Sequence, residues 1–204
     1  LPAATVTLGP DPTDPVHSPA HEVEVPGFWM DRYEITIAEY AAFLNEGGRD
    51  EHYRERMQSP ELCGLIQEGP GEYRTLPGRG DYPIVFATQA DAQAYAASRS
   101  KHLPSEAMWE RAARGAEGRT YPWGEQAINP HLANYDFHYG GTLPVGSFPG
   151  GVTPEGIHDL AGNVKEWTTS IFYPYPGGAD YEHWFNFPFF SEPYPEKSWQ
   201  PANR

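Results

Sequence analysis

Cysteine is nearly absent from this chain. Its 204 residues include one cysteine, Cys63, so they cannot form an internal disulfide, a metal site built on two cysteines or a redox-active cysteine pair. A lone cysteine usually serves as a small buried apolar side chain, and we expect that role for Cys63. Chemistry that needs two thiols is therefore excluded for these residues by themselves.

Long apolar runs and basic residues are also scarce. No run of 18 apolar residues occurs, which excludes a membrane-spanning helix within this sequence. The 14 Lys and Arg face 28 Asp and Glu, giving a formal charge of -14. Such a charge repels phosphate backbones and anionic membrane surfaces, so we expect no nucleic-acid partner. The same charge is also typical of a surface that is simply well solvated.

Signatures of common enzyme classes are missing as well. The sequence has no Gly-x-Ser-x-Gly motif, P-loop or dinucleotide fingerprint, so hydrolase, nucleotidase and dehydrogenase functions have no support. His17 and His21 are four positions apart, but Pro19 lies between them and a strand follows, which argues against a shared metal. No ligand spacing links the other histidines considered, and we assign no catalytic base. They are His131, His138, His158 and His183.

Proline and glycine, by contrast, are abundant. The chain has 22 Pro and 21 Gly together with 14% aromatic residues, a composition that favours ordered loops over a helical bundle or a regular sandwich. Loops have few backbone ladders, so side chains, water or bound ions must satisfy their polar groups. Calcium is the natural ion for that purpose in an acidic chain.

Three segments have the composition of strands. Residues 5–8 and 21–25 predict short strands, the second by its alternation of polar and apolar residues. Residues 28–35 are rich in aromatic and branched residues and predict a third strand. Residues 49–81 are charged and Gly-rich, and we expect an irregular insertion there that contains Cys63.

Three short helices are predicted from their start signals. Thr36 with Glu39, and Thr88 with Asp91, form capping boxes, and Ser105 follows Pro104 as a third start. The first helix should run to about Asn45, the second to about residue 100, and the third to Gly115. Ile37, Tyr40, Ala41 and Leu44 make one apolar stripe on the first helix.

Residues 168–204 form a distinct region that holds eleven aromatic residues and six prolines. A run broken by proline so often cannot be a central strand or a helix. The region either packs as a large loop over the core or forms an aromatic binding surface.

Three groups of motifs, in this order, resemble the formylglycine-generating enzyme, or sulfatase-modifying factor, family. They are Phe28–Leu44 with Tyr33-Glu34-Ile35-Thr36, Leu103–Gly115 with Tyr121-Pro122-Trp123-Gly124, and Pro144–Pro149 with Gly156–Trp167. The resemblance implies an α+β, C-type-lectin-like fold, with a few short helices around small antiparallel sheets and little other regular structure. The length of 204 residues predicts a single domain over residues 1–204. Because the C-terminal motifs of the family are missing, this domain is either C-terminally truncated or diverged.

The segment from Asp159 to Glu166 is the best metal candidate. Two carboxylates bracket a Gly-Asn turn, and with inward-facing carbonyls they form the oxygen-only shell that Ca²⁺ prefers. The family resemblance implies calcium ligands at Asp159, Gly162, Val164 and Glu166. It implies a second site at Asn134 and the Tyr135 carbonyl, where Asp136 could replace an acidic ligand that has no clear counterpart. The alternative for both segments is a turn held by Asx-type hydrogen bonds alone.

The oxidase site of that family depends on two cysteines in its C-terminal part that bind copper(I), and this chain lacks them. We therefore expect no copper in these residues, and a non-catalytic or accessory, calcium-stabilised domain that binds a protein or other ligand through an aromatic, acidic surface. The alternative is a formylglycine-generating or related periplasmic oxidase whose catalytic cysteines lie beyond residue 204. The chain opens at Leu1 without Met, and we expect a periplasmic or secreted protein. It could be a subunit of a membrane-associated assembly.

Overall fold

The computed structural model describes residues 1–9, 19–48, 63–171 and 175. The chain forms two compact units, the first of residues 1–7 and 22–170, the second of residues 8–21 and 171–204. Among the described residues no helix is long and apolar enough to cross a membrane. His17, His183 and most of the predicted aromatic region 168–204 lie outside the described residues, so both interpretations of that region stay predictions.

The first two predicted strands are confirmed. β1 spans Ala4–Leu8 and β2 spans His21–Val25, and the two form a two-stranded sheet. Val6 and Val25 are buried, whereas Glu22 and Glu24 are exposed on β2. This alternation is the period of two that a half-buried strand requires.

The first predicted helix is confirmed together with its cap. α1 spans Ile37–Asn45, with Thr36 as N-cap. The Thr36 hydroxyl accepts from the Glu39 N–H at 3.2 Å, and the Glu39 carboxylate accepts from the Thr36 N–H at 2.9 Å. The predicted stripe is buried, and Phe43 joins it. This helix is therefore anchored at its start and along one face.

The prediction of an irregular insertion over residues 49–81 is wrong for its second half. An antiparallel hairpin lies there, formed by β3 at Leu65–Gly69 and β4 at Glu72–Thr75. Its turn uses Gly71 at a φ of 78°. The Gly-Pro-Gly sequence at 69–71 is a turn signal, but strands this short and charged lack the clear apolar alternation that predicts a hairpin.

The predicted strand over residues 28–35 is also wrong. The chain bends at residues 32–33 and forms only a single bridge between Thr36 and Pro83, with a bond from the Ile84 N–H to the Ile35 carbonyl at 2.8 Å. Its other backbone bonds go to separate parts of the chain, since residue 28 pairs with residue 1 and the carbonyl of residue 32 accepts from the N–H of residue 158. Composition favoured a strand, but no single described segment runs beside this one to complete a ladder.

The remaining predicted helices are confirmed. α2 spans Gln89–Ser98 and begins with the capping box at Thr88, and α3 spans Glu106–Arg114 with Ser105 as N-cap. Gly115 ends α3 at a φ of 71°, a conformation that favours glycine. With three short helices and small sheets, the described residues have the predicted α+β architecture.

Two apolar clusters hold the first unit together. The larger surrounds α1 and includes Cys63, which is 0% exposed, so the predicted burial of this thiol is confirmed. The members are Ile37, Tyr40, Ala41, Phe43, Leu44, Cys63, Leu65 and Tyr95. The smaller cluster joins Ala112 and Ala113 of α3 to Ile157 and Leu160, with Trp109 packed against it. Residues 157–160, which include the start of the candidate metal segment, are thereby fixed to α3.

Candidate metal-binding loops

The segment from Asp159 to Glu166, here called the first loop, has a strained backbone. Asp159 and Asn163 adopt positive φ angles of 61° and 60°, which non-glycine residues rarely do. Between them, Gly162 has a φ of 137°, and a Cβ there would lie 2.3 Å from the carbonyl oxygen of Asn134. Only glycine allows the loop to approach the 134 segment this closely.

Asn163 is the centre of a buried polar network. Its Nδ2 donates to Glu34 Oε2 at 2.7 Å and to the Leu143 carbonyl at 3.2 Å. Its Oδ1 accepts from the Leu143 N–H at 2.9 Å and from Asn134 Nδ2 at 3.1 Å. The side chain therefore uses all four of its hydrogen-bonding positions and joins three distant segments to the first loop.

Glu34 is a buried carboxyl that the sequence analysis did not identify as a site residue. It is 8% exposed and also accepts from the Val164 N–H at 3.3 Å. Burial, with smaller contributions from the charges of Asp159 and Glu166, raises the pKa of Glu34 to about 8, although its hydrogen bonds oppose the shift. The carboxyl groups of Glu34, Asp159 and Glu166 thus lie near one another. No basic side chain contributes to the shift in the pKa of Glu34.

The pKa values of the two predicted carboxylate ligands, Asp159 and Glu166, are also raised. Desolvation raises the pKa of Asp159, although its Oδ2 accepts from the Gly146 N–H at 2.6 Å. Desolvation also raises the pKa of Glu166, with the charge of Asp159 adding to the effect and the Trp109 indole opposing it. Glu166 as a residue is exposed, so the desolvation concerns its carboxyl end. A cation placed here would relieve like-charge repulsion.

The donor set of the first loop fits a hard cation. The carbonyls of Gly162 and Val164 accept no hydrogen bond from any residue that the structure describes. Two carboxylates and two such carbonyls are the mixed oxygen donors that Ca²⁺ takes. Within the described ranges no group of three or more His, Cys, Asp or Glu side chains is arranged to hold a metal, so a site here depends on the carbonyls. The calcium assignment stays a prediction.

Asn134 and Tyr135, here called the second loop, lie directly beside the first. The Asn163 N–H donates to the Asn134 carbonyl at 2.8 Å. Asn134 Nδ2 donates to the Gly141 carbonyl at 2.8 Å as well as to Asn163, while its Oδ1 accepts from none of the described residues. The Tyr135 carbonyl accepts from the His138 N–H at 3.1 Å. Asn134 Oδ1 is thus the better candidate ligand.

The two residues that follow the second loop have an uncommon backbone conformation. Asp136 and Phe137 both have positive φ angles, 51° and 53°. Phe137 is 87% exposed, so apolar burial does not explain this conformation. Asp136, the suggested replacement ligand, is also exposed, and its role as a ligand stays a prediction.

An ion-pair network centred on Glu155 also holds α3 in place. Glu155 accepts from Arg111 at 3.4 Å and from Arg119 at 3.1 Å, and both arginines are almost fully buried. Burial alone would raise the pKa of Glu155, but its hydrogen bonds and the two guanidinium groups hold it below the ordinary value. Arg114 pairs with Glu110 at 3.0 Å, so both arginines of α3 are bound to carboxylates.

Sequence reasoning missed Glu34 and Asn163, although both lie inside quoted motifs. Glu34 stands between Tyr33 and Ile35, and an acidic residue inside an apolar run is a signal of a specific partner. Asn163 directly follows Gly162, and Asn tolerates the left-handed conformation that a turn requires. The partners themselves lie up to 130 positions apart and leave no local trace in the sequence.

The chain is similar to known proteins over most of its length, including the motifs described above. A family model described as "Sulfatase-modifying factor enzyme 1-like domain" matches residues 1–202. A hercynine oxygenase from Mycolicibacterium smegmatis is 34% identical over 93% of this chain and 49% of its own length. A formylglycine-generating enzyme from Mycobacterium tuberculosis is 30% identical over 86% of this chain and 74% of its own length.

A relative with another name shares part of the same region. The serine/threonine-protein kinase Pkn1 of Chlamydia trachomatis is 39% identical over 73% of this chain but only 24% of its own length. The chain therefore spans about half or less of the oxygenase and kinase relatives that it matches. The shared part occurs in proteins with different names and makes up different shares of their length.

Proposed function

The chain belongs to the family of sulfatase-modifying factor enzyme 1-like domains, and we propose that it is a calcium-stabilised, non-catalytic or accessory domain that binds a protein or another ligand. The observation that carries this proposal is the single cysteine, Cys63, which is fully buried. A pair of thiols for oxidation cannot come from these residues alone. Neither the apolar clusters nor the candidate loops contain a pair of thiols, so the described fold does not depend on one.

Calcium in this proposal has a structural role. Asp159 and Glu166 with the Gly162 and Val164 carbonyls would hold one ion, and Asn134 with the Tyr135 carbonyl would contribute to a second. A divalent cation would supply positive charge where the carboxylates of Asp159 and Glu166 repel each other. The loops would then keep the conformation that their positive φ angles and buried polar groups otherwise make costly.

Binding would use the exposed aromatic and acidic surface of the domain. Trp29 is 98% exposed and Phe137 is 87% exposed, and large exposed aromatic side chains are enriched at protein interfaces. The formal charge of -14 favours a neutral or basic partner over a nucleic acid. A periplasmic or secreted location, and a place in a membrane-associated assembly, are part of the same proposal.

The proposal is tested by metal content and stability together. We expect purified protein to retain calcium but no copper in mass spectrometry, and its melting temperature to fall when EGTA removes the calcium. EDTA-treated protein returned to magnesium, rather than calcium, provides the matched control. A melting temperature that is the same in calcium and in EGTA would contradict a stabilising role for the ion.

A second candidate function is supported by the names of the relatives. Hercynine oxygenase and formylglycine-generating enzyme are 34% and 30% identical over most of this chain. In that case the domain would be part of an oxidase whose remaining reactive groups come from outside these residues. Formation of formylglycine in a cysteine-containing peptide, or oxygenation of hercynine, by the natively isolated protein would favour this candidate over the accessory role.

A further inference from the structure

The first and second loops meet at one residue, Asn163. Its N–H donates to the Asn134 carbonyl at 2.8 Å, and its Oδ1 accepts from Asn134 Nδ2 at 3.1 Å. Gly162 packs against the same carbonyl, at a distance that leaves no room for a Cβ. The first loop therefore touches the side chain and the backbone of the residue that begins the second loop.

The backbone of Leu143 determines which way these amides face. Its N–H donates to Asn163 Oδ1 at 2.9 Å and its carbonyl accepts from Asn163 Nδ2 at 3.2 Å. A flipped Asn163 amide would place donor against donor and acceptor against acceptor. Because Oδ1 of Asn163 is thereby fixed towards Asn134, Asn134 must present its Nδ2 to this network. Its own Oδ1 is left for a cation in the second loop.

From this geometry we propose that Asn163 couples the two loops, so that calcium bound in the first loop strengthens calcium binding in the second, and the reverse. The inference rests on the proposed calcium sites and adds how they are regulated. An ion held by the Gly162 and Val164 carbonyls restrains the residue between them. That restraint passes through the side-chain hydrogen bond from Asn134 Nδ2 to Asn163 Oδ1, which orients the Asn134 amide and orders a ligand of the second loop in advance.

Coupling of this kind is reciprocal. If an ion in the first loop raises the affinity of the second loop by some factor, an ion in the second loop raises the affinity of the first by the same factor. Asn163 is a positioning residue in this scheme, since its side chain binds neither ion. Its removal should therefore change how the two sites influence each other while leaving the first loop's four oxygen donors in place.

The test is calorimetric titration of calcium chloride into the metal-depleted 204-residue chain. Asp159→Gly removes a ligand of the first loop and Asn163→Gly removes the coupling side chain, and glycine tolerates the φ angles of 61° and 60° at these positions. We expect wild type to bind two ions, and Asp159→Gly to weaken the remaining site roughly fivefold or more. In the Asn163→Gly background the same change should alter that affinity by less than about twofold.

Asn45→Ala is the matched control, because the Asn45 amide makes the same kind of paired bonds to the Tyr73 backbone, at 2.8 Å each, outside both loops. It should leave both affinities unchanged. Should Asn163→Gly fail to fold by circular dichroism, Asn134→Ala in its place must weaken calcium binding at the first loop by the reciprocal factor.

The outcomes separate this inference from the function on which it rests. Wild type that binds two ions, with the affinity of the second loop unchanged by Asp159→Gly, would overturn the coupling and leave calcium binding intact. One bound ion in wild type would also overturn it, because no second site would exist to be coupled. Failure of wild type to bind calcium at all would overturn both the coupling and the proposed structural ions.

Discussion

Two regions of the first unit use the same hydrogen-bonding device in opposite surroundings. Asn45 pairs its amide with the backbone of Tyr73, on the edge of β4 beside the apolar cluster around α1. Asn163 pairs its amide with the backbone of Leu143, but among three carboxyl groups. The first region depends on apolar packing and needs no ion. The second depends on buried polar groups, so its stability should respond to cations and pH.

The largest effect should come from closing the space around Gly162. In Gly162→Ala the new Cβ would meet the Asn134 carbonyl at 2.3 Å, and we expect a loss of at least about 4 kcal/mol of unfolding free energy, measured by urea denaturation. Gly140→Ala is the control, because Gly140 also has a positive φ but has nothing within 4 Å of the added atom. It should cost only about 1 kcal/mol. Equal losses in the two variants would mean that the close approach does not matter.

The apolar region should lose stability independently of calcium. Leu65 is 0% exposed in the cluster around α1, and Leu65→Ala should lower the free energy of unfolding by about 3 kcal/mol. Urea denaturation should give the same loss with calcium and with EGTA, since no candidate ligand packs there. A loss that grows when calcium is removed would show that the two regions are not independent.

The polar region should respond to pH through Glu34. Burial raises the pKa of Glu34 from an ordinary 4.5 to about 8, so the folded state holds this proton more tightly than the unfolded state. The resulting stabilisation is complete below the unfolded pKa and is lost as pH rises through about 8. In calcium-free buffer, the free energy of unfolding of wild type, measured by urea denaturation, should fall between about pH 5.5 and 8.5. The expected slope is up to about 1.4 kcal/mol per pH unit. Glu34→Gln should flatten that slope, and an unchanged slope would exclude Glu34 as its source.

The smallest effect should come from the Asn45 side chain. Asn45→Ala removes two hydrogen bonds to the exposed edge of β4 and should cost about 1 kcal/mol in thermal or urea unfolding, because water can replace them. Asn45→Asp sharpens the test, since it keeps an acceptor for the Tyr73 N–H but loses the donor to the Tyr73 carbonyl. A larger loss in Asn45→Ala than in Leu65→Ala would reverse the expected ranking.

Local signals predicted much of this fold. Thr36 with Glu39, and Thr88 with Asp91, gave the helix starts because a capping box is complete within four residues. The β3–β4 hairpin was missed because its strands are short and its apolar alternation is weak. The third predicted strand failed because a strand needs a partner along its length, and composition cannot show that residues 28–35 bond to separate parts of the chain instead.

Only the proposed ligands of the candidate site could be identified from the sequence, and the residues that position them could not. Asp159, Gly162 and Glu166 stand close together in the sequence, and oxygen donors at such spacing suggest a cation. The contacts of Asn163 with Glu34 and Leu143 join positions 129 and 20 residues apart. Such pairings depend on how loops pack in three dimensions, and one sequence contains no record of them.

The burial of Cys63 gives the protein an internal reporter. The chain has one thiol, and it lies fully shielded in the cluster around α1, with its sulfur 3.4 Å from the Leu65 carbonyl. A thiol reagent can modify that sulfur only when this part of the core opens. Labelling rates in native buffer would therefore measure the opening free energy of one defined place, without any engineered probe. Their dependence on added calcium would show how far an event in the polar loops is felt in the apolar core.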